Sequence, residues 1–158
     1  MDQILRIQMG AAAGPSAQAE PLGAYAGLGG RAMTSTVVAK EVPPTCHPLG
    51  ADNKLVIAPG LLSGSIASMS GRMSVGCKSP LTGAVACSNS GGFIGAEMKN
   101  AGWDMIIFEG RSPSPVYLYV EDERAELLPA DDLELLWSGA GLDPAPEDDA
   151  PRQAQERN

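Results

Sequence analysis

Glycine and proline interrupt this sequence throughout, and they restrict its possible folds more than any other feature. The chain has 19 glycines and 13 prolines among 158 residues, together about a fifth of the total. Glycine favours tight turns, proline removes a backbone donor, and the two follow no collagen-like period here. The sequence therefore predicts a single domain of short elements joined by many turns, with few long helices.

Short apolar runs indicate where the strands lie. The predicted strands cover residues 1–9, 54–59, 72–78, 103–110, 116–120 and 125–128. The last two flank a short polar turn and predict a hairpin. We therefore expect an α+β fold, with a twisted and mostly antiparallel sheet and one or two short helices.

Two segments have helical character. The first covers residues 24–41, with Gly29 and Gly30 near its start, and it must end before Pro43. The second covers residues 91–102, where Asn89-Ser90-Gly91-Gly92 precedes the helix and Gly102 ends it. We expect turns at residues 60–71 and 79–83 and a loop at residues 10–23.

Charge is distributed unevenly. Residues 1–120 hold 8 basic and 7 acidic side chains, whereas residues 121–158 hold 3 basic and 12 acidic ones. An acidic end repels phosphate backbones, so nucleic-acid binding is not expected. No apolar run is long enough to cross a membrane and the first residues lack a secretory apolar region, so we expect a cytoplasmic protein. Residues 138–158, which are acidic and rich in proline and alanine, are predicted to be disordered.

Standard catalytic residue sets are missing from the sequence. The single histidine, His47, lies beside Cys46, and neighbouring side chains diverge too much to form a dyad. Cys46, Cys77 and Cys87 have no metal-binding spacing, so they are interpreted as reduced thiols. No catalytic residue is assigned to this chain.

The segment from residue 60 to residue 95 is the strongest candidate for ligand binding. It holds eight glycines, and Arg72 and Lys78 are its only charged residues. Glycine turns let backbone amides approach a ligand, and an arginine fork suits a phosphate. Asn89-Ser90-Gly91-Gly92 would present free amides to an anion at a helix start. The alternative is that these glycines only form turns and that Arg72 is a surface or paired residue.

Several ordered motifs in the chain resemble one known family. They are Gly29-Gly30-Arg31, Glu41-Val42-Pro43, Asn53 to Ser65, Ser70-Gly71-Arg72, Lys78 to Gly83, Ser88 to Phe93, Ala101 to Gly110, Pro115 to Tyr119 and Leu136-Trp137. From about residue 4 to residue 137 the sequence resembles the N-terminal domain of the tungsten-containing aldehyde ferredoxin oxidoreductases. We therefore expect residues 1–137 to be part of that pterin-binding domain and residues 138–158 to be a tail.

The resemblance implies an activity and a set of cofactors. Members oxidise aldehydes to carboxylic acids and pass electrons through a [4Fe–4S] cluster to ferredoxin or a similar acceptor. Their metal, tungsten or in some cases molybdenum, is held by two pterins that rest on the N-terminal domain. The positions that match the pterin contacts are Arg72, Asn89 and Gly91, with Ser90 and Gly92 beside them. The main-chain oxygen of Asn89 matches a ligand of the magnesium ion that bridges the pterin phosphates.

The chain departs from the family in length. The resemblance implies a protein about four times longer, with the cluster cysteines and a second, repeated half of the domain outside this sequence. A chain of this kind would need the remainder of the oxidoreductase or a second subunit to turn over. Two alternatives are a non-enzymatic remnant that acts as a scaffold or cofactor carrier, and a phosphate-binding module of unrelated function.

Overall fold

A computed structural model describes residues 3–10, 14–122 and 124–133. Within these residues the chain forms eight strands and two α-helices. They are β1 (Gln3–Gln8), β2 (Ser16–Pro21), α1 (Gly30–Glu41), β3 (Lys54–Pro59), β4 (Met73–Lys78), β5 (Val85–Ser90), α2 (Ile94–Asn100), β6 (Trp103–Glu109), β7 (Val116–Glu121) and β8 (Arg124–Pro129). No helix in the described part is long and apolar enough to cross a membrane.

Six of these strands form one sheet in the order β2-β1-β6-β3-β4-β5. The pairing of β1 with β6 is parallel, and the other four pairings are antiparallel. Strands β7 and β8 form a separate antiparallel hairpin. The sheet is therefore mostly antiparallel, as predicted, and its outer strands are β2 and β5.

Apolar side chains fill both faces of this sheet. On one face, α1 contributes Met33 and Val37 to a core that also includes Ile4 of β1 and Ile107 of β6. On the other face, Met98 of α2 and the hairpin side chains cover Leu5, Ile7, Trp103 and Ile106. The sheet is thus covered on both sides, and β6 is buried along most of its length.

A cluster of charged side chains ties five elements together at one end of the sheet. Arg6 of β1 contacts Glu20 of β2 at 3.0 Å, Glu41 of α1 at 2.9 Å and Glu109 of β6 at 3.1 Å. Lys54 of β3 pairs with Glu41 at 3.0 Å and also with Glu109. These side chains are largely shielded from water, except for the more exposed Glu20. The cluster therefore couples the end of α1 to the sheet.

The cluster shifts the ionisation of its members. Burial alone would raise the pKa of Glu41, but hydrogen bonds from Arg6, Tyr25 and Lys54 outweigh it and lower that pKa to about 2. Burial, together with donation of its hydroxyl to Glu41 at 2.6 Å, raises the pKa of Tyr25 to about 12. Burial opposes the charge of Arg6, yet its hydrogen bonds to Glu41 and Glu20 raise its pKa overall.

Most of the predicted strands are confirmed, because apolar runs mark them clearly. Strands β3, β4, β6 and the β7–β8 hairpin lie within a residue or two of the expected bounds. Helix α1 ends at Glu41, two residues before Pro43. Gly102, with φ +92°, follows α2 as the predicted stop. The expected turns at residues 60–71 and 79–83 are also present.

Two predictions in the first third of the chain are wrong. Residues 10–23 were expected to be a loop, but Ser16–Pro21 form β2, which pairs antiparallel with β1. Its small and polar residues form a strand because β1 offers an edge to pair with. Residues 24–41 were expected to be one helix, but a 3₁₀ turn at Gly23–Tyr25 precedes α1, which begins only at Gly30. The predicted disorder of residues 138–158 lies outside the described residues.

The depressed pKa of Glu41 predicts an acid-dependent loss of stability. Unfolding returns the pKa of this carboxyl towards its ordinary value of 4.5. Between about pH 4.5 and pH 2 the unfolded chain therefore binds a proton at Glu41 that the folded chain does not bind. The contribution of Glu41 is therefore complete above about pH 4.5 and is lost as pH falls towards about 2. Urea unfolding between pH 6 and pH 3 should show a decline that is smaller in Glu41→Gln than in the wild type.

The same substitution should reduce stability at neutral pH by roughly 2 kcal/mol, because it leaves Arg6 and Lys54 with one less carboxylate. Glu97→Gln serves as the control, since Glu97 is exposed on α2. If the stability of Glu41→Gln depends on pH in the same way as that of the wild type, this role of the cluster is contradicted.

Candidate ligand-binding site

The five predicted site residues lie together at one end of the β4–β5 pair. Arg72 directly precedes β4, Asn89 and Ser90 end β5, and Gly91 and Gly92 follow. The antiparallel register pairs Met73 with Ser90 and Ser74 with Asn89, so the start of β4 lies beside the end of β5. All five residues are exposed. The sheet register therefore assembles the group that the sequence singled out.

The side chain of Arg72 lies along the glycine turn. A Cβ atom built on Gly91 would be 3.9 Å from both Cδ and Nε of Arg72. Within the described residues, the Arg72 guanidinium makes no hydrogen bond or ion pair with another side chain. The structure thus excludes the interpretation in which the Arg72 side chain is paired with another described residue, and it places Arg72 at the surface. An exposed, unpaired guanidinium retains all its donors for an anion.

The backbone of Arg72 is held firmly although its side chain is free. Its carbonyl oxygen accepts a hydrogen bond from the backbone amide of Gly60 at 2.8 Å. The hydroxyl of Ser63 lies 3.0 Å from the same oxygen and 2.7 Å from the carbonyl of Ser70. Ser63 is buried. The loop after β3 therefore fixes the point from which the guanidinium extends.

Asn89 is oriented by a buried serine of the neighbouring strand. The hydroxyl of Ser74, which is only 3% exposed, donates a hydrogen bond of 2.6 Å to Oδ1 of Asn89. The amide nitrogen of Asn89 makes no hydrogen bond in the described part of the chain. Ser74 therefore uses the acceptor of this side chain, and the amide donors of Asn89 have no partner among the described residues.

Close backbone approach explains two of the glycines. A Cβ on Gly71 would be 2.8 Å from the carbonyl oxygen of Gly92, a distance that real Cβ atoms do not reach. Gly92 has φ +107°, a conformation that side-chain-bearing residues rarely adopt. The loop that leads into Arg72 and the turn that follows Ser90 therefore touch through their backbones.

The helix predicted over residues 91–102 is present, but it begins three residues later than expected, and Asn89 and Ser90 are not part of its start. Asn89 and Ser90 belong to β5, and α2 begins at Ile94 and has seven residues. Aligned peptide dipoles of so short a helix contribute little, so the anion-binding capacity rests on Arg72, the Asn89 amide and the turn backbone. Sequence reasoning missed β5 because alanine, serine and asparagine are weak strand formers.

Sequence reasoning also missed Ser63 and Ser74. Both lie among many serines and glycines, where a buried, hydrogen-bonded serine looks like a solvent-facing turn residue. The strand alternation of Met73–Lys78 could have indicated that Ser74 is buried, since every second side chain of β4 lies on its buried face.

The segments that adjoin this site carry several large apolar side chains, called here the apolar rim. Its large side chains are strongly exposed and come from the loop after β3 and from the residues before and within α2. They are Leu61, Leu62, Ile66, Met69, Phe93 and Ile94. A Cβ on Gly64 of this loop would be 3.3 Å from Cβ of Lys99, so the loop lies against α2. Apolar side chains beside a free guanidinium suit a flat ring system that carries a negative group.

The histidine and the acidic and cysteine side chains of the described residues form no catalytic or metal-binding group. His47 is exposed in a loop, and its Nδ1 accepts a hydrogen bond from the Leu49 amide at 3.2 Å. No three or more His, Cys, Asp and Glu side chains of the described residues are placed to hold a metal ion. Two hollows, of about 190 and 330 Å³, include none of the five site residues. The arrangement at Arg72 is therefore suited to binding rather than to acid–base chemistry.

Comparison with known families gives one match that covers most of the chain. Residues 4–140 match the model described as "Aldehyde ferredoxin oxidoreductase, N-terminal domain". The chain is 47% identical over 106 residues to the tungsten-containing aldehyde ferredoxin oxidoreductase of Thermococcus kodakarensis, and 48% identical over 100 residues to that of Pyrococcus furiosus. These alignments cover 67% and 63% of this chain but only 18% and 16% of the relatives.

More distant similarities follow the same pattern. The chain is 33% identical over 118 residues, 73% of its length, to the "Aliphatic sulfonate oxidoreductase, WOR-like subunit" of Pyrococcus furiosus, of which it covers 18%. Among solved structures it resembles the active site complex BamBC of benzoyl coenzyme A reductase bound to 1,5-dienoyl-CoA, with a TM-score of 0.76 and 30% identity. That match covers 90% of this chain and 23% of the other. The chain thus spans less than a fifth of its curated relatives.

The contact between Gly71 and Gly92 predicts a difference between neighbouring glycines. Gly71→Ala should lower the free energy of unfolding by about 2 kcal/mol, because its Cβ would meet the Gly92 carbonyl. Gly91→Ala is the matched control and should change stability by less than about 0.5 kcal/mol, since its Cβ would make ordinary contacts with Arg72. Urea unfolding measures both. Equal effects of the two substitutions would contradict the close backbone approach.

Proposed function

The chain belongs to the aldehyde ferredoxin oxidoreductase family through its N-terminal domain, and on this basis we propose that it binds the phosphorylated part of a pterin cofactor. One observation carries the proposal. The unpaired guanidinium of Arg72 lies against Gly91, which is two residues from Asn89 with its unpartnered amide donors and directly precedes the open turn at Gly92. A guanidinium and an amide donor at a glycine turn are the groups that bind a phosphate.

The residues fit such a ligand sterically as well. Nothing lies within 4 Å of a Cβ built on Gly92, so the turn is open to an approaching group. Arg72 would pair with a phosphate, and Asn89, Ser90, Gly91 and Gly92 would line the adjacent surface. The main-chain oxygen of Asn89 would help to hold a magnesium ion between phosphates. When bound, the tungsten or molybdenum pterin group supplies the redox chemistry of aldehyde oxidation.

The role of this chain would then be placement of the cofactor. Gly60 and Ser63 hold the carbonyl of Arg72, and Ser74 holds the side chain of Asn89, so two of the contacting residues are fixed before a ligand arrives. Preorganised contacts cost less entropy on binding than mobile ones. The exposed apolar rim would lie against the flat part of the pterin.

We further propose that this chain does not turn over alone. It aligns with less than a fifth of the length of its curated relatives, so it would require the remainder of the oxidoreductase or a second subunit. That remainder would supply the [4Fe–4S] cluster and the route to a ferredoxin-like acceptor in the cytoplasm. Residues 1–137 would form the partial domain and residues 138–158 its tail.

The short alignment also favours a second candidate function. A chain that binds a pterin and aligns with less than a fifth of its relatives' length could serve as a cofactor carrier or scaffold without enzymatic activity. Aldehyde-dependent dye reduction separates the two functions. If the chain is part of an oxidoreductase, turnover after reconstitution with tungsten and pterin is expected only when a complementary chain is added. If the chain is a cofactor carrier, no turnover is expected with any partner. Turnover by this chain alone would contradict its insufficiency.

Binding of a pterin phosphate tests the site directly. The probe is 6-hydroxymethylpterin phosphate, with its unphosphorylated form as the comparison, and pterin fluorescence anisotropy is the readout. Arg72→Ala and Asn89→Ala should each weaken binding of the phosphate form about tenfold or more, because each removes a hydrogen bond to a charged group. Ser74→Ala should weaken it less, since Asn89 keeps its donor but loses its fixed orientation.

Arg124→Ala is the matched control, because Arg124 is an exposed arginine of β8, which lies beside β2 at the opposite edge of the sheet from β5. It should bind as the wild type does. If inorganic phosphate competes fully and the pterin ring adds no affinity, the site is a general phosphate module rather than a pterin site. If the Arg72→Ala variant binds the phosphate form as tightly as the Arg124→Ala variant does, the proposed site is wrong.

A further inference from the structure

A hollow of about 190 Å³ lies between the end of α1 and the start of β5. Its walls come from the last turns of α1, the two prolines that follow this helix and the residues that lead into β5. Most of the lining is apolar: Val38, Val42, Pro43, Pro44 and Val85, with Lys78 of β4 as the charged residue. None of the five candidate pterin-site residues lines this hollow.

The lysine of this hollow is buried and keeps one donor free. Lys78 is only 8% exposed, and its Nζ donates hydrogen bonds of 2.6 Å to the carbonyl oxygens of Pro44 and Cys46. A lysine ammonium has three donors, so one of them has no partner among the described residues. Because Pro44 also lines the hollow, the ammonium lies beside its wall.

The charge of Lys78 is not balanced by a carboxylate within residues 3–10, 14–122 and 124–133. The other well-shielded basic side chains of this part of the chain each pair with at least one carboxylate, and they are Arg6, Lys54 and Lys99. The two carbonyl dipoles at Lys78 reduce the cost of burying its charge but do not cancel it. An anion in the hollow would supply the missing negative charge and an acceptor for the free donor.

Lys78 is held in place at its backbone as well as at its tip. The Oδ1 atom of Asn53 accepts a hydrogen bond from the Lys78 amide at 3.0 Å, and its Nδ2 donates one to the Lys78 carbonyl at 3.0 Å. The register of β4 with β5 pairs Lys78 with Val85, which lines the same hollow. The ammonium and the apolar wall are therefore positioned before a ligand arrives, which lowers the entropic cost of binding.

We propose that this hollow binds a small monocarboxylate with a short apolar chain. A single free ammonium donor matches one negative charge, whereas a phosphate dianion needs several donors. The valine and proline side chains would cover the hydrocarbon part of the ligand. The volume of about 190 Å³ lies below the range of about 300–1,000 Å³ for drug-sized ligands, so the ligand must be small. This site goes beyond the proposed pterin function, because binding needs neither the cofactor nor the rest of the oxidoreductase.

Titration of the ¹⁵N-labelled full chain with butyrate tests the site by nuclear magnetic resonance. The amide signals of Lys78 and Val85 should shift and saturate. Butyramide, the neutral comparison, should bind about tenfold more weakly or worse, because it has no charge to pair with the ammonium. The absence of shifts, as expected if a carboxylate of another segment already fills the hollow, would overturn the proposal. Equal binding of the two compounds, or tighter binding of inorganic phosphate at the same signals, would also overturn it.

Two substitutions probe the charge and the space separately. Lys78→Met removes the ammonium and should weaken butyrate binding about tenfold or more. Val85→Phe keeps the ammonium but fills part of the hollow, so it should weaken binding to a similar extent, and it carries the test if circular dichroism shows that Lys78→Met does not fold. Lys40→Met removes an exposed lysine of α1 and is the matched control, which should bind butyrate as the wild type does.

Arg72→Ala separates this site from the proposed pterin site. It should lose affinity for pterin phosphate but keep its affinity for butyrate, since Arg72 does not line the hollow. If Arg72→Ala abolishes butyrate binding while Val85→Phe leaves it unchanged, the carboxylate binds at the pterin site and the proposal is wrong. If Arg72→Ala keeps both affinities, the pterin site is wrong and the carboxylate site stands.

Discussion

Burial of β6 on both of its faces is the constraint on which the other elements depend. Trp103 to Ile107 are shielded from water, and β6 lies between β1 on one side and β3 on the other. Both α1 and the α2–hairpin layer pack against this strand and its neighbours. Strands β3, β4 and β5 then extend outward from it. The candidate site lies at the far end of that extension, where core packing no longer determines which side chains are exposed.

The sequence predicts an element of this structure when that element is stabilised by its own residues, and misses it when the stability comes from pairing with a neighbour. Strands β3, β6, β7 and β8 were predicted because their own apolar and β-branched residues favour the strand. Strands β2 and β5 were missed, since their alanines, serines and glutamine have no such preference and form strands by pairing with β1 and β4. Among the site residues, Arg72 and the glycines were identified by residue type. Ser63 and Ser74 were not, because their role depends on burial created by distant segments.

The anion-binding role proposed for the candidate site rests on different structural elements from those expected. A helix N-terminus was the expected source of anion affinity, yet α2 starts beyond Gly92 and is only seven residues long. The site instead joins a strand end, a glycine turn and a guanidinium whose backbone is fixed by Gly60 and Ser63. The family match covers these same residues. Residue type and spacing thus singled out the candidate residues, while their arrangement follows from the register of β4 with β5.

The parallel pairing of β1 with β6 affects the order in which the chain can assemble. About a hundred residues separate these partners, and closing so long a loop carries a large entropic cost before any contact compensates for it. During synthesis, β1 leaves the ribosome first and can pair with β2 at once, but its place in the sheet does not exist until β6 has emerged. Until then the apolar residues of β1 that later pack against β6 and its covering layers remain exposed to water.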